Sequence, residues 1–164
     1  MAFDAFLKLD GIKGESRDRQ HSGEIEILSF SWGMSQTGAQ GAGGGGGEGK
    51  ASVHDISVTK VTDSSTPQLM KSCATGQHIA TGQISVRKAG EKPVEYLKIR
   101  MTDILISSLE MGGSRSGTPS DQVTLDFKKA VFSIAPILPT GGLGTPFTVL
   151  IENAEQGEVA TPPS

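Results

Sequence analysis

The sequence predicts a mainly β protein: a closed or nearly closed barrel of two sheets with one short α-helix packed outside. Three observations carry this. Apolar residues recur with a period of two through most of the chain, the mark of strands with one buried face. Only one stretch, near residues 65–76, carries helix punctuation. The strand-like runs number seven or eight, and closing so many short strands on themselves removes the exposed edges an open sheet would leave.

The first strand is read in FDAFLKL (3–9), where Phe3, Ala5, Leu7 and Leu9 alternate with Asp4, Phe6 and Lys8. Asp10-Gly11 opens a turn and a polar loop follows. In EIEILSFSWG (24–33), Ile25 and Ile27 alternate with Glu24 and Glu26, the phase slips at Leu28, and Phe30 and Trp32 continue it. One inserted residue is a bulge, which bends a sheet. Ser29 and Ser31 lie opposite the apolar residues. SVHDISVTKV (52–61) is a further strand, with Ile56 and Val58 against Ser57 and Thr59.

Between these strands lies a Gly-rich segment, 34–50. Gly44, Gly49 and Lys50 have the spacing of a phosphate-binding loop, but Ala51 stands where the magnesium-holding Ser or Thr belongs. Strands flank the segment on both sides, whereas a phosphate loop presents its amides at a helix N-terminus. The segment is therefore expected to be a long flexible connection, and no nucleotide is expected.

The helix begins at Ser65-Thr66-Pro67, with Ser or Thr as cap and Pro in the first turn, and stops at Gly76. Leu69, Met70 and Cys73 are expected to share its buried face. Strands resume at 83–90 and 94–101 around a GEKP turn, then in DILISSLEM (103–111). A polar loop, 112–121, leads to QVTLDF (122–127) and AVFSIAP (130–136), a strand or a bulged pair.

Length and composition bound the function. The chain's 164 residues suffice for one domain with a real core. Its net charge of -3 has no block of one sign, which argues against nucleic acid as a partner. The single cysteine, Cys73, forms no intramolecular disulfide and is expected to be a small buried apolar residue. The first residues carry no basic region before an apolar run, and no stretch approaches ~18 apolar residues. The expectation is a protein made soluble in the cytoplasm, without membrane anchor, that leaves the cell without a cleaved signal peptide.

The residues show no catalytic chemistry. His21, His54 and His78 lack metal-site spacing and are read as solvated surface. No nucleophile elbow surrounds any serine. Glu24 and Glu26 read as a solvated strand face, and Trp32 as core. No catalytic, cofactor-binding or metal residue is expected, and no cofactor.

FDAFLKLDGIKGES (3–16) followed by GEIEILSFSWG (23–33) resembles the haemolysin-coregulated protein (Hcp) family, the tube protein of bacterial type VI secretion systems. DISVTKVTDSSTPQLMKSCATGQHI (55–79), VRKAG (86–90), EYLKI (95–99) and QVTLDF (122–127) extend the likeness in the same order. It covers residues 1–136. The resemblance implies a barrel protomer whose homo-hexameric rings stack into a hollow tube. A contractile sheath propels that tube behind a tip (spike) protein, and small secreted effectors ride in the lumen. It implies that Ser29 and Ser31 face the lumen. The Gly-rich loop, with Gly43, Gly45, Gly47, Glu48 and Lys50, would then reach toward the next subunit or ring. Residues 137–164 depart from the family pattern. There Phe147, Val149 and Ile151 alternate as a possible extra strand (147–151), and Glu155 to Ser164 reads as disordered.

Two readings of other classes stand beside this one. A stand-alone monomeric carbohydrate- or peptide-binding β-module would have one concave ligand site. A hydrolase would have perturbed acids or an activated serine in a pocket.

Overall fold

The structure, a computed structural model, describes residues 2–37, 51–90 and 92–153. It is mainly β. The elements in chain order are β1 (Phe3–Leu9), β2 (Ile25–Ile27), β3 (Ser29–Ser31), β4 (Met34–Gln36), β5 (Ala51–Val53), β6 (Ile56–Val61), α1 (Ser65–Thr75), β7 (Ile79–Lys88), β8 (Glu95–Gly112), β9 (Ser120–Ile134) and β10 (Phe147–Glu152). One antiparallel sheet runs in the order β2-β1-β7-β8-β9-β6-β3, with β10 added along β9, and β4 and β5 form a separate two-stranded ribbon.

The sheet curls into a nearly closed barrel because its two ends are one piece of chain. β2 pairs with β1, placing Ala5 opposite Ile27. β3 pairs with β6, placing Phe30 opposite Val58. Only Leu28 separates β2 from β3, and its N–H donates to the Thr59 carbonyl at 2.6 Å. The phase slip at Leu28 is thus more than a bulge within one strand: it is the corner where the chain leaves one end of the sheet and joins the other. Ile25 and Ile27 are buried on one side of the corner, and Leu28 is 60% exposed.

The interior is filled by the inward positions of every long strand: Leu7, Ile84, Ile99, Ile104, Val123, Leu125 and Phe127 are almost wholly buried. Gly82 faces them. A Cβ there would lie 2.7 Å from Ile104 Cδ1 and 2.9 Å from Leu9 Cδ2, so only glycine fits without displacement.

Several residues sit differently from the sequence expectation. Phe6 is buried although it alternates onto the polar face of β1. The loop after β1 folds back over that face, so His21 stacks on Phe6 with ring centroids 4.4 Å apart. His21 is buried rather than solvated. Its Nδ1 lies 3.0 Å from Glu24 Oε2, and its Nε2 meets Glu95 Oε1. Glu24 is therefore a loop anchor, while Glu26 is exposed. Arg87 lies over the Phe6 ring and donates to Asp18 Oδ1 at 3.0 Å. Conversely, Phe3 is 38% exposed at the barrel end.

The run 52–61 divides at His54-Asp55 into β5 and β6, because Ala51–Val53 pairs with β4 and Ile56–Val61 with β9. The runs 94–101 and 103–111 are one strand, β8, bent at Asp103, whose φ of 55° is left-handed. QVTLDF and AVFSIAP likewise belong to one strand, β9.

α1 starts at Ser65, with Ser64 at the cap position. Asp63 takes the capping role: its Oδ1 accepts from the Ser65 N–H at 2.9 Å. Gly76, at φ 67°, ends the helix, and its N–H returns to the Cys73 carbonyl. The helix buries a narrow stripe of Ser65, Thr66, Leu69 and Ser72. Met70, one position on from Leu69 and about 100° around the helix, is 45% exposed. Cys73 is only half-buried and packs against the core edge.

Beneath α1, Lys60 and Asp121 form an ion pair of 2.7 Å with neither side chain exposed. Thr66 and Thr62 also donate to the Asp121 carboxylate, and Lys60 Nζ reaches Asp63 Oδ1 at 3.0 Å. Burial pushes the Asp121 pKa up, but the hydrogen bonds from Lys60, Thr66 and Thr62 outweigh it and hold the carboxyl below its ordinary range.

Candidate functional site

Ser29 and Ser31 are both exposed on β3, and Phe30 between them turns inward against the core. The backbone register extends their face across four strands. Ser29 lies opposite Thr59, and Ser31 opposite Ser57. Thr59 and Ser57 in turn lie opposite Gln122 and Thr124 of β9. Those two face Glu110 and Ser108 of β8. Two parallel rows result: Ser29-Thr59-Gln122-Glu110 and Ser31-Ser57-Thr124-Ser108. At the usual strand spacing they span roughly 14 Å.

The strands hold these side chains outward because each alternates with a buried apolar residue. Ile56 and Val58 lock β6, and Val123 and Leu125 lock β9. The hydroxyls are tied to one another. Gln122 Nε2 donates to Ser57 Oγ at 3.3 Å, and Ser108 and Thr124 share a hydrogen bond of 2.6 Å. Ser107, at the β8 register shift, donates to Asp55 Oδ2 at 2.6 Å. The face is close to neutral, with Glu110 its only charge in the two rows. Such a surface offers donors and acceptors without a strong field.

Among the described residues no histidine is within hydrogen-bonding distance of these serines, whose partners are Gln122, Thr124 and, for Ser107, the Asp55 carboxylate. Among the described residues no group of His, Cys, Asp and Glu is placed to hold a metal ion.

Of the residues singled out from sequence, Ser29 and Ser31 fall on this face. Gly43, Gly45, Gly47, Glu48 and Lys50 lie outside the described residues, as do residues 154–164. The base of the Gly-rich segment is the β4–β5 ribbon. The sequence reading missed Ser57, Thr59, Gln122, Thr124 and Ser108 as members of the face. Their alternation is visible in sequence, but only the register brings them beside Ser29 and Ser31.

Trp32 follows Ser31 and turns to the core side, where its ring packs on Phe132 with centroids 4.4 Å apart; its Nε1 is buried without a hydrogen-bond partner among the described residues.

Comparison with known proteins gives a consistent picture. The family model described as "Type VI secretion system effector, Hcp" matches residues 6–133. Protein hcp1 of Pseudomonas aeruginosa is 46% identical over 138 residues, covering 83% of this chain and 85% of that protein. The crystal structure of Hcp1 from Salmonella typhimurium superposes with a TM-score of 0.77 at 35% identity, covering 93% of this chain and 95% of that one. A type VI secretion system effector from Yersinia pestis gives a TM-score of 0.74 at 32% identity, covering 91% and 99%.

Proposed function

The chain belongs to the Hcp family of type VI secretion system effectors, a family of structural, non-enzymatic proteins, and from that premise we propose that it is a tube subunit that also carries cargo. Six copies form a ring, rings stack into a hollow tube, and a contractile sheath drives the tube behind a tip protein. The protein is cytoplasmic before firing and is delivered outside the cell. Among the described residues no helix is long and apolar enough to cross a membrane.

The observation that carries this reading is the hydroxyl face. Four strands hold their small polar side chains in register on one side of the barrel, with the core packed behind them. A lumen wall built this way is smooth, wet and weakly charged. Small effectors would be held there by several modest hydrogen bonds rather than by a deep pocket, and would be released when the ring leaves its stack. The Gly-rich loop, through Gly43, Gly45, Gly47, Glu48 and Lys50, is proposed to bridge stacked rings.

Ser31→Gln tests the lumen assignment. The longer side chain intrudes on whatever the face holds but leaves the core side of β3 untouched. The expected outcome is intact rings that no longer retain a co-produced effector. Loss of the ring instead would put Ser31 at a subunit interface and overturn its assignment to the lumen.

A further inference from the structure

The outer face of β1, β7 and β8 carries a cleft that neither the hydroxyl face nor the core uses. A Cβ on Gly82 would meet Ile104 and Leu9 inside the barrel, so its neighbours Thr81 and Gln83 point outward. The register sets a row of three residues on each side of Gly82. In the first, Lys8 lies opposite Gln83, and Gln83 opposite Arg100. In the second, the Asp10 N–H donates to the Thr81 carbonyl at 3.0 Å, and Thr81 lies opposite Thr102. The two rows wall a trough of about 440 Å³ that Gly82 and Met101 floor. At the usual strand spacing it is roughly 10 Å long, the scale of a small-ligand cleft.

The walls offer donors with nothing to bind. Lys8, Asp10, Thr81, Arg100 and Thr102 are exposed, and among the described residues none of their side chains has an ion pair or a hydrogen bond. Gln83 is held: its Nε2 donates to Ser85 Oγ at 2.9 Å, which fixes the amide and leaves its second hydrogen uncommitted.

The charges are unevenly placed. Lys8 and Asp10 share one end of the trough, which is close to neutral. Arg100 and Thr102 share the other, which is positive. Lys98 and Lys129, beside that end, each lie near a carboxylate, Glu95 at 3.5 Å and Glu152 at 4.0 Å, and add little to its field. The buried Ile84, Ile99 and Met101 hold both strands behind the walls.

We propose that this trough binds a singly charged oxyanion, the carboxylate or phosphate diester of a small molecule. Arg100 grips two oxygens with its guanidinium fork. The Thr81 and Thr102 hydroxyls and the Gln83 amide complete the cradle, and Lys8 attracts the anion from the far end. Asp10 offsets one of the two cations, so the trough matches one negative charge and disfavours two. The site lies apart from the hydroxyl face and does not depend on the proposed tube.

The test is a methyl NMR titration of the full chain at fixed ionic strength, with dimethyl phosphate and with acetate as probes. The Thr81 and Thr102 methyl signals should shift saturably, and the probe that saturates at the lower concentration tells a phosphate diester from a carboxylate. Arg100→Gln should weaken binding at least about fivefold. Arg115→Gln, which removes the same charge from the β8–β9 loop, should leave it within about twofold. Asp10→Asn should tighten the binding of sulfate, a dianion, by about threefold or more. Shifts that only rise linearly with both probes, equal losses in the Arg100 and Arg115 variants, or sulfate binding unmoved by Asp10→Asn would each overturn the site.

Discussion

Lys60 and Asp121 pair at 2.7 Å with both side chains wholly buried beneath α1, and this contact joins β6, β9 and the helix. Removing one partner leaves the other charged in a dry site. Asp121→Asn or Lys60→Met is expected to cost about 3–5 kcal/mol, read as a lower midpoint in urea unfolding. Replacing both, as K60M/D121L, should recover much of that loss, because no charge remains in the dry site and Asp63, at its edge, keeps the Ser65 N–H. A single variant as stable as the parent would show that the pair is not desolvated as described.

The Asp18–Arg87 pair gives a pH dependence. Arg87's hydrogen bonds hold the Asp18 pKa down at about 2 from 3.8. A depressed carboxylate stabilises the fold above its unfolded pKa and loses that contribution as pH falls through the folded value. The window is therefore pH 4 to 2, and the contribution is on the order of 2 kcal/mol. Asp121 is also held low and acts with the same sign. Asp18→Asn should lower stability at pH 7 and flatten the acid limb of the stability curve. An unchanged slope between pH 4 and 2 would contradict the assignment.

A side chain at Gly82 should force its neighbours to shift. Gly82→Ala pushes a Cβ against Ile104, Leu9 and the Lys8 carbonyl. The expected loss is about 1–3 kcal/mol. Gly112→Ala is the control: its Cβ would meet nothing within 4 Å, and the change should be within about 1 kcal/mol of neutral. Equal losses at the two sites would contradict the close approach.

Trp32 should lose no hydrogen bond when its indole nitrogen is removed, because Nε1 has no partner among the described residues. Trp32→Phe should keep the packing on Phe132 and cost less than about 1.5 kcal/mol. Trp32 is the only tryptophan, so circular dichroism is the suitable probe. A loss beyond about 3 kcal/mol, the cost of a full aromatic truncation, would point to a partner for the indole N–H.

How legible all this is in the sequence depends on how local each cause is. Alternation locates β1, β6, β7, β8 and β9, and Gly76 fixes the end of α1, because both signals act within a few residues. The phase slip at Leu28 is visible too, but its meaning is not: closure requires knowing that β2 and β3 pair with opposite ends of the sheet. Phe6 and His21 are misread for a similar reason. Their burial comes from a loop folding over the outer face of β1, and from Glu95 and Arg87 far along the chain. Lys60 reads as a surface lysine until Asp121, 61 residues away, is placed beside it. The hydroxyl face is half legible. Ser29 and Ser31 stand out against Phe30 and Trp32, but their neighbours Ser57, Thr124 and Ser108 become one surface only through the strand register.

The most direct test of the central claim is the assembly state of the purified full chain, by light scattering on a sizing column with negative-stain images of the same fractions. The account predicts six-fold rings with a central hole. A monomer at every concentration would contradict ring assembly as a property of this chain.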